Sequence, residues 1–276
     1  MLVYGDQFLL MADLVLRSNT RKDYYDVIGW TQSNCLFFED IPQNFNNPTL
    51  IFCNTEDCHL LKNTLQHFTK PFVLLSHNSD TNVTETYSYI YEHPLVHHWF
   101  TQNAIVSHPK VTFLPIGKAN PIWNHGNPDF FSQIQEHAPS KINSFYANFL
   151  VQTNPTAREL CQSTLAKFHI RNYPKTHPLQ FFIHLASSYY SICPEGNGID
   201  THRFWESLYF KTIPIVLRSP FTEKLQSLYP CFLIDSWDKL LEQMIPYDPL
   251  AFTQEMYTTM GFEYYKSLIY IALNSI

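Results

Sequence analysis

Short apolar runs, each about one strand long, recur along the chain and are separated by longer amphipathic stretches. Thr49-Leu50-Ile51-Phe52-Cys53, Phe72-Val73-Leu74-Leu75-Ser76 and Val111-Thr112-Phe113-Leu114-Pro115-Ile116 are three such runs, and each reads as a buried strand. Between the first two, residues 57–68 place Leu60, Leu61, Leu65 and Phe68 at helical spacing. Strand, helix and strand in that order at that spacing imply crossover connections and a parallel sheet. The pattern predicts an α/β protein.

The 276 residues leave room for one large domain or two small ones. Residues 120–139 are rich in Pro, Asn, Gly and His and read as a linker, after which the pattern restarts. A strand candidate lies within 141–152. A helix follows over 155–168, with Thr153 or Asn154 as its cap. Residues 181–191 pass from helix to strand, 200–210 and 221–229 read as helices, and 213–217 and 231–234 as strands. The region from Pro249 onward looks helical. The expected organisation is one domain over 1–130 and another over 131–276: two Rossmann-like halves facing across a cleft. Open α/β sheets bind ligands at the carboxyl ends of their strands.

Composition narrows the functional classes. Hydrophobic residues make up 45%, aromatics 16% and charged residues 15%, which suits a globular chain with a sizeable core. The net charge is -6 and no run of Lys or Arg occurs, so a broad nucleic-acid face is not expected. The six cysteines form no C-x-x-C pair and read as reduced, mostly buried thiols. No apolar run reaches the ~20 residues that span a bilayer. Residues 1–6 lack a basic stretch leading into an apolar one, so a cytoplasmic location is expected.

Glycine is scarce, with 7 in the chain, yet Gly196 and Gly198 lie one residue apart. In such a chain a pair of glycines marks backbone that bends sharply or is approached closely. Residues 194–199 are expected to form a turn between an apolar run ending at Cys193 and a helix capped by Asp200 or Thr201. A helix N-terminus exposes unpaired N–H groups and attracts phosphate. Arg203, in the first turn, can offer a bidentate fork to that phosphate, and His202 adds a donor. Glu206 lies three positions on, on the same face, where its carboxylate can accept from a ribose diol. Taken singly, each feature has a plainer explanation. Gly-x-Gly turns are common, and Arg203 with Glu206 could be an exposed pair worth ~0.2–0.5 kcal/mol.

Together these residues carry a resemblance. The run CPEGNGIDTHRFWESLYFKTIPIVL, residues 193–217, resembles the signature of exostosin-like glycosyltransferases. It is especially similar to a bacterial and viral branch with a Gly-Asn-Gly-x-Asp-x-His-Arg-x-Trp-Glu pattern. Residues 148–155 with Arg158 resemble the start of the donor domain in that branch. Residues 72–80 and 99–117 resemble parts of its first domain. The resemblance implies a GT-B fold, with the nucleotide sugar on the second domain and the acceptor on the first. It implies an inverting, metal-independent transfer with no cofactor beyond the nucleotide-sugar co-substrate. On the donor side it points to Arg158, Glu195, Gly196, Asn197, Gly198, Asp200, Thr201, His202, Arg203 and Glu206. Arg203 would neutralise diphosphate, Arg158 would be a second phosphate contact, and Glu206 would hold the ribose. On the acceptor side it points to Asn78, Trp99, Asn103 and Gly117. The chain departs from the pattern at Lys211, where many relatives have a turn glycine before the Ile-Pro-Ile-Val strand.

An inverting transfer needs a base for the acceptor hydroxyl. Asp80 is the first candidate and His77 the second, because both follow the Phe72–Ser76 strand. Trp99 and Asn103 read as an i,i+4 pair, with Trp99 either stacked on a sugar or in the core. No Asp-x-Asp occurs, and no His-Glu-x-x-His; His97 and His98 are adjacent and do not face one site. Neither Gly-x-Ser-x-Gly nor a P-loop motif is present. The function expected is transfer of a sugar from a nucleotide donor to a glycan or other hydroxyl acceptor. The alternative is a glycosyltransferase-like module that binds a nucleotide or glycan without turnover. Neither a nucleic-acid partner nor a membrane-spanning segment is expected.

Overall fold

The computed structural model of the chain describes residues 2–19, 34–137 and 139–276. They form an α/β structure with two compact units, one of residues 3–116 with 261–276, the other of residues 117–260. The junction expected at residue 130 lies inside the second unit, and the C-terminal helix belongs to the first.

The first unit holds a six-stranded parallel sheet in the order β2-β1-β3-β4-β5-β6. The strands are β1 Leu14–Arg17, β2 Cys35–Phe37, β3 Leu50–Asn54, β4 Phe72–His77, β5 Val96–Thr101 and β6 Val111–Phe113. On one face Leu16, Ile51, Cys53, Leu74 and Trp99 pack with Leu61, Leu65 and Ile90. On the other, Val15, Leu50, Phe52, Val73, Leu75 and Phe100 pack with Phe8 and Leu9, and with Tyr265 and Ile269. Those four come from the helices Gly5–Met11 and Phe262–Leu273. β3 and β4 match their apolar runs. β5 was hidden by His97 and His98 in its sequence, although its place between β4 and β6 buries Trp99 and Phe100. Trp99 is therefore a strand residue, not a member of a helical pair. The helix expected over 57–68 is broken into a 3-10 turn Thr55–Leu60, a short helix Leu61–Thr64 and a 3-10 turn Leu65–His67.

The second unit holds a four-stranded parallel sheet in the order β10-β9-β8-β7. Its strands are β7 Asn143–Tyr146, β8 Ser188–Ile192, β9 Ile213–Leu217 and β10 Phe232–Ile234. The supposed linker contains a helix, Pro128–His137. Proline suits a first helical turn, and Phe131 and Ile134 lie three apart and are buried. Phe131 packs 4.6 Å from Phe182 and 5.5 Å from Phe210, ring centre to ring centre. The helix Pro155–Lys167 begins as expected: Asn154 caps it by accepting from the Ala157 N–H at 3.2 Å. Among the described residues, no helix is long and apolar enough to cross a membrane.

The helix His202–Tyr209 closes with two bonds, Lys211 N–H to Leu208 O at 3.1 Å and Thr212 N–H to Ser207 O at 2.8 Å. This closure puts its pivot residue in the left-handed region, where glycine is at ease. The pivot is Lys211, at φ 55°. Lys211 thus sits, strained, where a glycine turn is expected from the resemblance. Lys211→Gly should stabilise the chain by about 1 kcal/mol, since the left-handed conformation costs a side-chain-bearing residue ~1–2 kcal/mol. Urea unfolding should show a higher midpoint at an unchanged slope.

Candidate functional site

The second unit places its chemistry at the carboxyl ends of β7 and β8. The chain leaves β7 through residues 147–154 and β8 through residues 193–201. Each segment then enters a helix, Pro155–Lys167 or His202–Tyr209.

Arg158 ties the two segments together. It is buried, donates from Nη1 to Leu150 O at 2.9 Å, and donates from Nε to Glu195 O at 2.8 Å. Asn154 reinforces the tie through Nδ2 to Gly196 O at 2.8 Å. A methyl group built at Gly196 would make ordinary contacts, the nearest with Arg158 Nη2 at 3.5 Å. The chain bends at residues 197–200, as expected, without either glycine taking a positive φ. Gly117 alone among the described glycines has a positive φ, at 62°. What Gly196 supplies is a bare backbone beside a guanidinium.

Arg203 stands in the first turn of its helix. Its Nη2 donates to Asn148 O, and its guanidinium lies 5.5 Å over the Phe181 ring. Its Nε is buried with no hydrogen-bond partner. The Tyr146 hydroxyl and Thr176 Oγ1 are buried without partners too. Thr176 and Asn148 lie next to the Tyr146 hydroxyl, but no bond of good geometry forms. Buried polar atoms are almost always paired, so orphans around one arginine mark a place for something more.

Glu206 follows one turn later. It is 4% exposed. Burial raises its pKa to about 7, against the opposing pull of Arg203 and then Lys118. Lys118 was not singled out from the sequence. It is 2% exposed, donates from Nζ to Gly126 O at 2.9 Å and lies 5.4 Å over the Phe131 ring. Arg158 is itself pushed down to about 10, by burial first and then by the charge of Arg203. Two partly desolvated guanidiniums that repel each other form a site that favours an anion.

The remaining donor-side residues fall into place around this centre. Thr201 occupies the N-cap position without a side-chain capping bond. Asp200 is buried and accepts from the Trp205 indole at 2.8 Å, so it braces the helix from inside. His202 was expected to donate to the ligand, but its Nδ1–H is used on Gly117 O at 2.9 Å. Gly117, expected on the acceptor side, therefore belongs with this helix in the second unit. Gly198 is buried, whereas the Glu195 and Asn197 side chains are exposed. Beside the 193–201 segment lies a cavity of about 80 Å³, lined by apolar side chains including Ile199, Phe204, Val216, Phe221 and Trp237.

In the first unit, Asp80 is exposed in the connection that follows β4. His77 is not free to act as a base. Its Nε2–H donates to Pro115 O at 3.0 Å and its Nδ1 accepts from the Asn78 N–H at 2.8 Å. Burial also lowers its pKa to about 4. Asn78, at φ 56°, donates from Nδ2 to Asp6 at 3.0 Å and packs against Gly5, where any side chain would collide with it. Trp99 is fully buried and donates to Ser76 Oγ at 2.9 Å, so it has no face for a sugar. Asn103 is also fully buried, donating to Ser79 O at 3.2 Å. Both are packed inside the first unit and do not line a surface.

Compared with models of known families and with curated proteins, the chain matches none.

Glu206 gives the site a pH signature. Its folded pKa of about 7 lies above the ordinary carboxylate value of 4.5, so the folded chain holds a proton that the unfolded chain has released. Stability therefore falls as pH rises between those values. Glu206→Gln should remove this loss and gain up to about 3 kcal/mol on the native chain across that window. Urea unfolding at pH 4.5 and pH 8 checks it.

Proposed function

We propose that the chain is a glycosyltransferase of GT-B type, using a nucleotide sugar whose diphosphate binds in the second unit. The observation that carries this reading is the buried, partnerless Nε of Arg203 beside Arg158, with the buried carboxyl of Glu206 one turn further on. A diphosphate oxygen answers the free Nε and offsets the repulsion between the guanidiniums. A ribose diol offers two donors to the Glu206 carboxylate. The apolar cavity beside the 193–201 segment suits the flat face of a nucleobase.

In the transfer, negative charge grows on the departing diphosphate. Preorganised donors at that place stabilise it without reorganising. Arg203 is fixed by Asn148 O and Phe181, and Arg158 by two carbonyls, so both are preorganised. Asp80 is the base for the acceptor hydroxyl, because His77 has both nitrogens engaged. The engagement of His77 also favours a second reading, a module that binds nucleotide or glycan without turnover.

Incubation with a panel of nucleotide sugars, followed by release of nucleoside diphosphate, tests the proposal. Arg203→Ala should weaken donor binding roughly 10- to 100-fold, since a hydrogen bond to a charged group is worth ~1.5–3 kcal/mol. Glu206→Ala should weaken it as well. If both variants keep native affinity and turnover, the donor binds elsewhere. Asp80→Asn should retain donor binding and lose at least ~100-fold in turnover, a typical share for general-base catalysis. Donor binding by the native chain with no transfer to any acceptor would support the second reading.

A further inference from the structure

The first unit holds two thiols in contact, and the transfer proposed above uses neither. Cys53 lies in β3, and Cys58 in the 3-10 turn Thr55–Leu60 that follows it. Their Sγ atoms are 3.5 Å apart. A disulfide bond is about 2.05 Å long, so closing one here takes a movement of ~1.5 Å. Both side chains are 0% exposed and belong to the same core on one face of the six-stranded sheet.

The residues that join the two cysteines are short of partners. Asn54 Nδ2 and Oδ1, Thr55 Oγ1 and Asp57 Oδ2 are buried without a hydrogen bond. Water satisfies such atoms as soon as the segment opens, so each of them favours the open form. The turn itself is of the 3-10 kind, whose hydrogen bonds are poorer than those of an α-helix. A segment built this way opens locally at less than the cost of global unfolding. Strand β3 is held between β1 and β4, so Cys53 stays in place and Cys58 is the thiol that moves.

The closed form protects the pair as thiols. The hydrogen bond with Cys58 and then burial hold the Cys53 thiol well above its ordinary pKa, and the nearby Asp57 adds to this. A protonated thiol is not a nucleophile, so reaction waits on opening. We infer that Cys53 and Cys58 are a redox pair that forms a reversible disulfide through local opening of residues 54–60. Opening brings Cys58 to water, where its thiolate attacks one sulfur of a small disulfide such as glutathione disulfide. One glutathione leaves as thiolate and takes up the proton that Cys58 released. As the segment recloses, Cys53 gives up its proton and attacks Cys58 Sγ, and the second glutathione leaves with that proton. The two cysteines are oxidised by one electron each, and one glutathione disulfide is reduced to two glutathiones. The pair lies in the first unit and does not rest on the donor site of the second.

Incubating the full native chain in glutathione buffers of rising disulfide content tests the pair, with acid quenching, alkylation of free thiols and peptide mapping by mass spectrometry. The peptide carrying residues 53–58 should lose two hydrogens and take up no alkyl group, and dithiothreitol should restore both thiols. Cys58→Ala should leave Cys53 without a bond to any other cysteine of the chain. Thr55→Val removes one orphaned hydroxyl at nearly constant volume. It should slow bond formation at least ~5-fold, the factor that one rehydrated polar group contributes to opening. Thiols at 53 and 58 that stay free at every glutathione ratio, while the urea-unfolded chain forms the bond, would overturn the inference. So would a glutathione adduct that never resolves, a bond from either residue to a different cysteine, or a rate unchanged in Thr55→Val.

Discussion

The buried guanidinium of Arg158 is the interaction on which the second unit's site depends. It joins carbonyls of two segments that leave different strands, Leu150 O after β7 and Glu195 O after β8. Asn154 on Gly196 O reinforces the join. Neither carbonyl carries a full charge, so burying the guanidinium on them lowers its pKa and leaves a local positive field. The clamp that shapes the site also makes it electropositive.

Glu206 is a weak counterweight to that field. The acid is buried far enough for its proton to be retained to about pH 7, although Arg203 and Lys118 both favour its charged form. The two units share a logic here. In each, buried polar atoms at the carboxyl end of a parallel sheet lack partners: Arg203 Nε, Tyr146 Oη and Thr176 Oγ1 in one, Asn54 and Thr55 in the other. Such atoms reduce the stability of the chain by itself.

The α/β class and the parallel sheets were legible because β3, β4 and β9 are continuous apolar runs, which few other folds require. Strand β5 was not, because His97 and His98 break its run and only its neighbours in the sheet bury it. The Pro128–His137 helix was masked by the Pro, Asn and His around it, although Phe131 and Ile134 at i,i+3 were a signal. At the candidate site, Arg203 and Glu206 could be named from their place in the first turns of a helix, and Arg158 only through the resemblance. Lys118 could not, since its nearness to Glu206 depends on the path of residues 117–126. Nor could the engagement of His77 by Pro115, or the burial of Trp99 and Asn103, be read, because each is decided by residues distant in sequence. The Gly196-Asn197-Gly198 segment shows both features its glycines suggest: the chain bends at 197–200, and Gly196 lies close beside Arg158.

A crystal structure of the chain with a bound nucleoside diphosphate bears most directly on the role of Arg203. A diphosphate oxygen should lie about 3 Å from Arg203 Nε, the usual hydrogen-bond distance, with Arg158 still on its two carbonyls. A diphosphate bound elsewhere, with Arg203 Nε still unpaired, would contradict that role.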